Sequence, residues 1–368
     1  MVNRVLSSLI AIFCYFSITF GFESDLKGCI EVPFERTDHE EYPGLIRRLD
    51  PSSFRLTNDI RSYIIYLAFG KERQTVGLAL DLAANEVLVP RAGKHSSWIY
   101  GSYDPEVSTT SAITNSRLYP PTYWRDTIAM RSGSHDISIQ NFRFGIIEDG
   151  KYGTLGMGPN ANFPETESFI SHLKNQGSIS SKSFSIFVNS DSSTKGSVIF
   201  GGIDTAKIDG KLVELPMISK TQPLIKMDSI TIKDQIINID ADTLLDTGIQ
   251  TASFPKQVAD ALLENYDTAI YNADVGAYLV NSDLGRNQSV TLNFNGVAIE
   301  GSFYNAFRHS IVDRNGKSYG PGYLISHSDK VILGDLFISK MYVVFNYDTR
   351  TISIGRARYT AESTCVPV

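Results

Sequence analysis

Leu244-Leu245-Asp246-Thr247-Gly248-Ile249-Gln250-Thr251-Ala252-Ser253-Phe254-Pro255 is the stretch around which the chain is organised. Two apolar residues of buried-strand character carry one carboxylate into a tight turn. Thr247 and Gly248 follow, and a second apolar run leads away to a proline. A short Asp-Thr-Gly arises by chance in many chains, so its weight comes from a worn copy upstream. Leu78-Ala79-Leu80-Asp81-Leu82-Ala83-Ala84-Asn85-Glu86-Val87-Leu88-Val89-Pro90 repeats the order apolar, apolar, Asp, small turn, apolar, Pro. Each copy lies early in its own half of the chain. Two matched carboxylates on a duplicated frame point to acid–base chemistry shared across a pseudo-twofold axis.

The 368 residues suffice for two lobes with sizeable cores. Eighteen Tyr, twenty Phe and abundant Ser and Thr favour strands. Strands are expected at 62–70, 75–80, 137–147, 183–188, 196–200, 211–215 and 235–239, and again at 290–294, 297–299, 331–333, 341–346 and 351–354. Amphipathic helices are expected over 164–175 and 255–266, their apolar faces packed on the sheets. The class is all-β with a few short helices. A net charge of −6 with no run of Lys or Arg excludes a nucleic-acid partner. The six His are scattered and no His-Glu-x-x-His occurs, so no metal and no cofactor is expected.

Met1-Val2-Asn3-Arg4 and the apolar run 5–20 have the form of a signal peptide over 1–21, with Thr19 and Gly21 small enough for the cleavage positions. The run is short and polar sequence follows, which favours secretion over a membrane anchor. The C-terminus lacks a lipid-anchor tail. An extracellular place of action follows, the cell wall included. Cys14 leaves with the signal peptide, so Cys29 and Cys365 remain. Arg47-Arg48 suits a processing protease. If it is cut, Cys29 departs with a short acidic prosegment; if not, the two cysteines are free to bridge the chain ends. Asn287-Gln288-Ser289 is a glycosylation sequon, in a polar stretch with loop character.

Further motifs accompany the two Asp stretches: Leu56-Thr57-Asn58-Asp59, Tyr103-Asp104-Pro105, Gly153-Thr154-Leu155-Gly156-Met157-Gly158, Gly196-Ser197-Val198-Ile199-Phe200-Gly201-Gly202, and Val331-Ile332-Leu333-Gly334-Asp335. On these residues the chain resembles the pepsin-type aspartic proteases, and among them the fungal secreted aspartic proteases and yapsins. The resemblance implies a bilobal fold with pseudo-twofold symmetry: a propeptide over 22–48, an N-terminal β lobe over 49–213 and a C-terminal β lobe over 214–368. It implies a catalytic pair Asp81 and Asp246 that shares a proton and activates water, with Leu155-Gly156 and Leu333-Gly334 bracing the two loops. Thr247 and Gly248 would meet a peptide or protein substrate in the cleft of a monomer.

The chain also departs from that pattern. Leu82 stands where the family has a threonine whose hydroxyl ties the lobes together, and Ala83 where it has glycine. Ala84 and Ile249 replace the hydroxyl residues that orient the outer carboxylate oxygens. In the interval 116–125, two prolines and no glycine make a normal flap hairpin hard to build, leaving Tyr119 or Tyr123 to stand over the cleft, with Tyr119 taken as the substrate contact. Leu88 replaces the supporting Trp, and the intralobe disulfides are missing. Two functions follow: an aspartic endopeptidase of weakened activity, or an inactive relative that binds peptides. A serine-elbow pattern, Gly316-Lys317-Ser318-Tyr319-Gly320, lacks the flanking strand and helix and reads as a turn.

Overall fold

Both copies of the Asp stretch fold into the same unit. The computed structural model describes residues 28–40, 54–57, 59–93, 98–115, 121–148, 152–159, 168–189, 195–232, 234–249, 252–263, 270–272, 277–279, 289–302, 310–313, 318–319, 322–326 and 330–368. In the first half, Gln74–Asp81 pairs antiparallel with Asp59–Phe69 and parallel with Gly153–Gly156. Val87–Pro90 then crosses antiparallel to Gly153–Gly156 and runs parallel to His135–Ile147. In the second half, Gln235–Leu245 pairs antiparallel with Leu224–Ile232 and parallel with Val331–Leu333. Ala252–Pro255 likewise crosses Val331–Leu333 antiparallel and runs parallel to Gly322–Ser326. The five-strand pattern is thus repeated, each copy sending an Asp out of the end of a strand whose last residues are buried. Val76, Leu78, Ala79 and Leu80 are all buried, as a strand covered on both faces requires.

The second unit lies in a sheet of its own, and the first belongs to a longer sheet that also takes strands from the second half of the chain. From Ile208–Pro216 it passes through Thr351–Ala357, Met341–Asn346, Ser183–Val188 and Lys195–Phe200, then through Ile30–Glu40 to Asp59–Phe69 and the rest of the first unit. The bridging strand is Ile30–Glu40, antiparallel to both neighbours, with Ile30 opposite Phe200 and Glu35 opposite Ile64. Ile30, Val32, Phe34 and Arg36 point inward while Glu31, Pro33 and Glu35 are exposed. This period-two pattern was open to reading, but Pro33 and the acids disguised it as a polar prosegment. Cys29 and Cys365 form a disulfide with Cα atoms 6.5 Å apart, so the uncut chain adopts the bridged alternative.

The expected helices appear as Phe169–Asn175, capped by the Ser168 side chain, and Lys256–Leu263. Their longer expected limits, 164 and 266, lie outside the described residues, as do the signal peptide, Arg47-Arg48, Tyr119 and Asn287. One expectation is corrected. Ala112–Asn115 does form a hairpin with Thr122–Ser132, placing Ile113 opposite Trp124 and Asn115 opposite Tyr123 across an irregularity. Pro121 precedes the returning strand, so its missing N–H group costs the ladder nothing, and Pro120 lies outside the described residues. Ser318–Tyr319 pairs with Ser310–Asp313 as a short strand, while residues 314–317 and 320–321 of the expected turn lie outside the described residues.

The Tyr-Asp-Pro motif and Asp126 explain one another. The Asp126 carboxylate, 2% exposed, accepts hydrogen bonds from Tyr103 Oη, Ser108 Oγ and Thr110 Oγ1, each at 2.6 Å, and from the Thr127 amide at 2.7 Å. Tyr103 packs against Phe69 and Phe144, with ring centroids 5.6 and 5.4 Å away. Burial, then the hydrogen bond to Asp126 and last the Asp126 charge, push the Tyr103 phenol well above its ordinary range. Asp126→Ala would strand buried donors and is expected to cost about 3 kcal/mol of unfolding free energy in urea denaturation, against about 1 kcal/mol for Tyr103→Phe.

Candidate active site

Leu80 and Leu245, 1% and 0% exposed, anchor the two strands in the core and leave Asp81 and Asp246 at their open ends. Each Asp folds its turn back onto its own side chain. Asp81 Oδ1 accepts from the Ala83 and Ala84 amides, both at 2.8 Å, and Asp246 Oδ1 from the Gly248 amide at 2.8 Å. Both turns are braced by the apolar-Gly steps. Asp81 lies opposite Gly156 and its carbonyl accepts from the Met157 amide at 2.8 Å. The Asp246 amide donates to the Leu333 carbonyl at 3.0 Å, and the Asp335 amide to the Ile249 carbonyl at 2.9 Å. Gly156 is required by this crossing, since a Cβ there would meet the Glu86 backbone at 2.5 Å.

The two carboxylates come together over Gly248. A Cβ at that residue would stand 3.0 Å from Asp246 Oδ1 and 3.8 Å from Asp81 Oδ2. Both side chains are half-buried. Burial, and secondarily the charge of Asp81, push the Asp246 carboxyl up to about 7 against the pull of the Gly248 N–H. Burial raises Asp81 as well, but the Ala84 and Ala83 N–H groups oppose it. With two amide donors against one, Asp81 is the better place for the negative charge and Asp246 for the proton.

Thr247 is fully buried, and its hydroxyl donates to the Leu80 carbonyl at 2.6 Å, linking the second turn to the first strand. Leu82, in the matching position, is 1% exposed and has no hydroxyl to return the bond. Tyr123 is turned away from the role considered for it. Its hydroxyl lies 3.0 Å from both Glu86 carboxylate oxygens, and the Arg143 guanidinium covers its ring at 3.7 Å. Tyr119 lies outside the described residues. Among the described residues no cluster of three His, Cys, Asp or Glu could hold a metal ion.

Sequence reasoning missed the support behind the second turn. The buried Asp335 carboxylate takes Arg36 Nη2 at 2.5 Å and the Tyr63 hydroxyl at 2.6 Å. Tyr347 donates its hydroxyl to the Met157 carbonyl beside the first turn. Arg36 sits in phase with Ile30, Val32 and Phe34, a signal that only a strand assignment for 30–40 would have exposed.

A family model for eukaryotic aspartyl proteases matches residues 62–357. The chain is 28% identical over 334 residues to secreted aspartic protease 3 of Candida albicans, covering 84% of this chain and 83% of that protein. It is 27% identical over 361 residues to secreted aspartic protease 1 of the same organism, covering 91% of this chain and 90% of the relative.

Two outcomes are expected. Thr247→Val, which keeps the volume and removes the inter-unit bond, should lower stability by about 1–2 kcal/mol in chemical denaturation. Asp246 also gives stability a pH dependence. Its folded pKa lies above the unfolded value, so its contribution is full below about pH 4 and is lost as pH rises toward about 7. The thermal midpoint should therefore fall across that window, and Asp246→Asn should flatten the fall.

Proposed function

We propose, from the premise that the chain belongs to the eukaryotic aspartyl protease family, that it hydrolyses peptide bonds through Asp81 and Asp246 at a reduced rate. The observation that carries this reading is the placing of both carboxylates against Gly248, one favoured as ionised and the other as protonated. Asp81 takes a proton from a water held between the pair as that water attacks the scissile carbonyl carbon. Asp246 gives its proton to the carbonyl oxygen; as the tetrahedral diol collapses and the C–N bond breaks, Asp81 passes its proton to the leaving nitrogen and Asp246 takes one back from the diol hydroxyl, which restores the pair. Gly248 forms the floor on which the peptide rests; Thr247, expected to meet substrate, is buried beneath it and holds the turn instead, and Tyr119 is the candidate to cover the cleft. Family membership supports a peptide substrate, and the Candida relatives, which are secreted aspartic proteases, support secretion. The proposed protein is a secreted monomer, glycosylated at Asn287 and made as a precursor.

The reduced rate follows from three side chains. Leu82 leaves the inter-unit tie one-sided, and Ala84 and Ile249 offer no hydroxyl to the outer carboxylate oxygens. Among the described residues the pair's inner oxygens are held by backbone amides, and looser positioning lowers the rate. The same three residues favour a second reading, a peptide-binding relative without turnover.

An assay of the purified protein on unstructured peptides between acid and neutral pH tests the choice. The expected result is slow cleavage that Asp246→Asn lowers by at least about 100-fold. The combined Leu82→Thr, Ala84→Ser and Ile249→Thr variant should raise the rate by about ten-fold or more, one added transition-state hydrogen bond being worth about 1.4 kcal/mol. Cleavage by neither form, with a statine-type transition-state mimic still bound, would select the binding reading. Cleavage that persists in Asp246→Asn would refute the pair as its source.

A further inference from the structure

The segment that a dibasic cut would discard is an inner strand of the long sheet that holds the first unit together with strands from the second half of the chain. We propose that Ile30–Glu40 stays in the working protein as a permanent strand, held through any cleavage between 41 and 53 by the Cys29–Cys365 disulfide. The prosegment is then cut from its connection but not released, and the mature molecule has two chains.

Three observations carry this. The strand's inward residues belong to the core: Ile30, Val32 and Phe34 are buried, and the Phe34 ring stacks on Tyr63 at 4.5 Å with planes 4° apart. Its loss would open both the Asp59–Phe69 and Lys195–Phe200 edges, leaving backbone groups of each without their partners. The second observation is Arg36. Both it and Asp335 are almost wholly buried, at 2% and 0% side-chain exposure, and they meet at 2.5 Å. Removing the guanidinium leaves a buried carboxylate without that cation, one of the most destabilising changes a core can suffer. Asp335 is also the residue whose amide holds the Ile249 carbonyl beside the Asp246 turn, so the damage would reach the candidate active site.

The third observation is the bridge itself. Cys365 lies on the Cys365–Pro367 strand, which pairs with Gly202–Asp204, and the Thr364 amide donates to Asp204 Oδ1 at 2.7 Å. Gly202 makes room for the bridge, because a side chain there would collide with Cys29 Sγ. The lower end of Ile30–Glu40 is therefore tied covalently to an anchored C-terminus. One segment could compete for the slot. Phe54–Thr57 also carries a Phe and an Arg, but it is already paired with Ser310–Asp313. It would have to break that pairing and displace a strand that the disulfide keeps at high effective concentration.

The test uses the full secreted chain with a site-specific protease sequence placed at Arg47-Arg48, compared before and after cutting. The fragment carrying Ile30–Glu40 should run with the body on a non-reducing denaturing gel and separate only when thiol is added. Amide hydrogen exchange under native conditions should leave Ile30–Glu40 as protected after the cut as before, within about twofold. In a Cys29→Ser, Cys365→Ser variant cut in the same way, mild urea should release the fragment while the parent keeps it. Loss of protection at Ile30–Glu40 in the cut parent would overturn the proposal, as would release of the fragment without thiol. Equal retention by the serine variant in urea would refute the disulfide as the lock. None of these readings needs catalysis, so failure of the peptidase assignment would leave them unchanged.

Discussion

Two carboxylates set against one glycine, half-buried, cannot both be charged at low cost. That constraint organises the molecule. Each Asp must arrive from a different strand end, at a fixed height, with its turn unable to relax away from the other. The structure meets the demand with backbone. Parallel pairing of Asp81 with Gly156 and of Leu245 with Leu333 sets the heights. Amides of Ala83, Ala84 and Gly248 hold the inner oxygens. Such donors survive almost any substitution short of proline, which is how the frame tolerates Leu82 and Ala84 where hydroxyl residues are expected.

The two copies have diverged unequally, and the inequality is chemical. The second has Thr247, whose hydroxyl reaches across to Leu80, while the first has a buried leucine in the matching position. Apolar burial at Leu82 supports the fold as well as a threonine would, but a leucine holds nothing in place across the interface. Stability and positioning have thus been separated at one residue. Behind the second turn, support comes from far away in sequence, through Asp335 to Arg36 and Tyr63.

Much of this was legible in the sequence. The duplicated Asp stretches pointed to the repeat and to a pair of acids facing one another, and aromatic content with short runs broken by Gly, Asn and Asp pointed to the all-β class, because these are local signals. The apolar-Gly braces followed only from the family resemblance. The Ile30–Glu40 strand was not, since acids and Pro33 hid its apolar phase and its dibasic neighbour suggested a discarded segment. The Ala112–Asn115 hairpin was missed because prolines were weighed as though they lay in the ladder, when Pro121 precedes the returning strand. Arg36 with Asp335 lay beyond reach, being a contact between residues 299 positions apart. The fate of the two cysteines needed the sheet, which alone brings the chain ends together.

The proposed hydrolysis needs one proton held between Asp81 and Asp246, and carboxyl-carbon NMR of the aspartates, titrated across acid to neutral pH, reads it directly. One of the two resonances, assigned by its loss in Asp246→Asn, should titrate near 7, and the other well below it. Two independent titrations in the ordinary carboxylate range near 4 would show that the acids do not share a site, and would contradict the account.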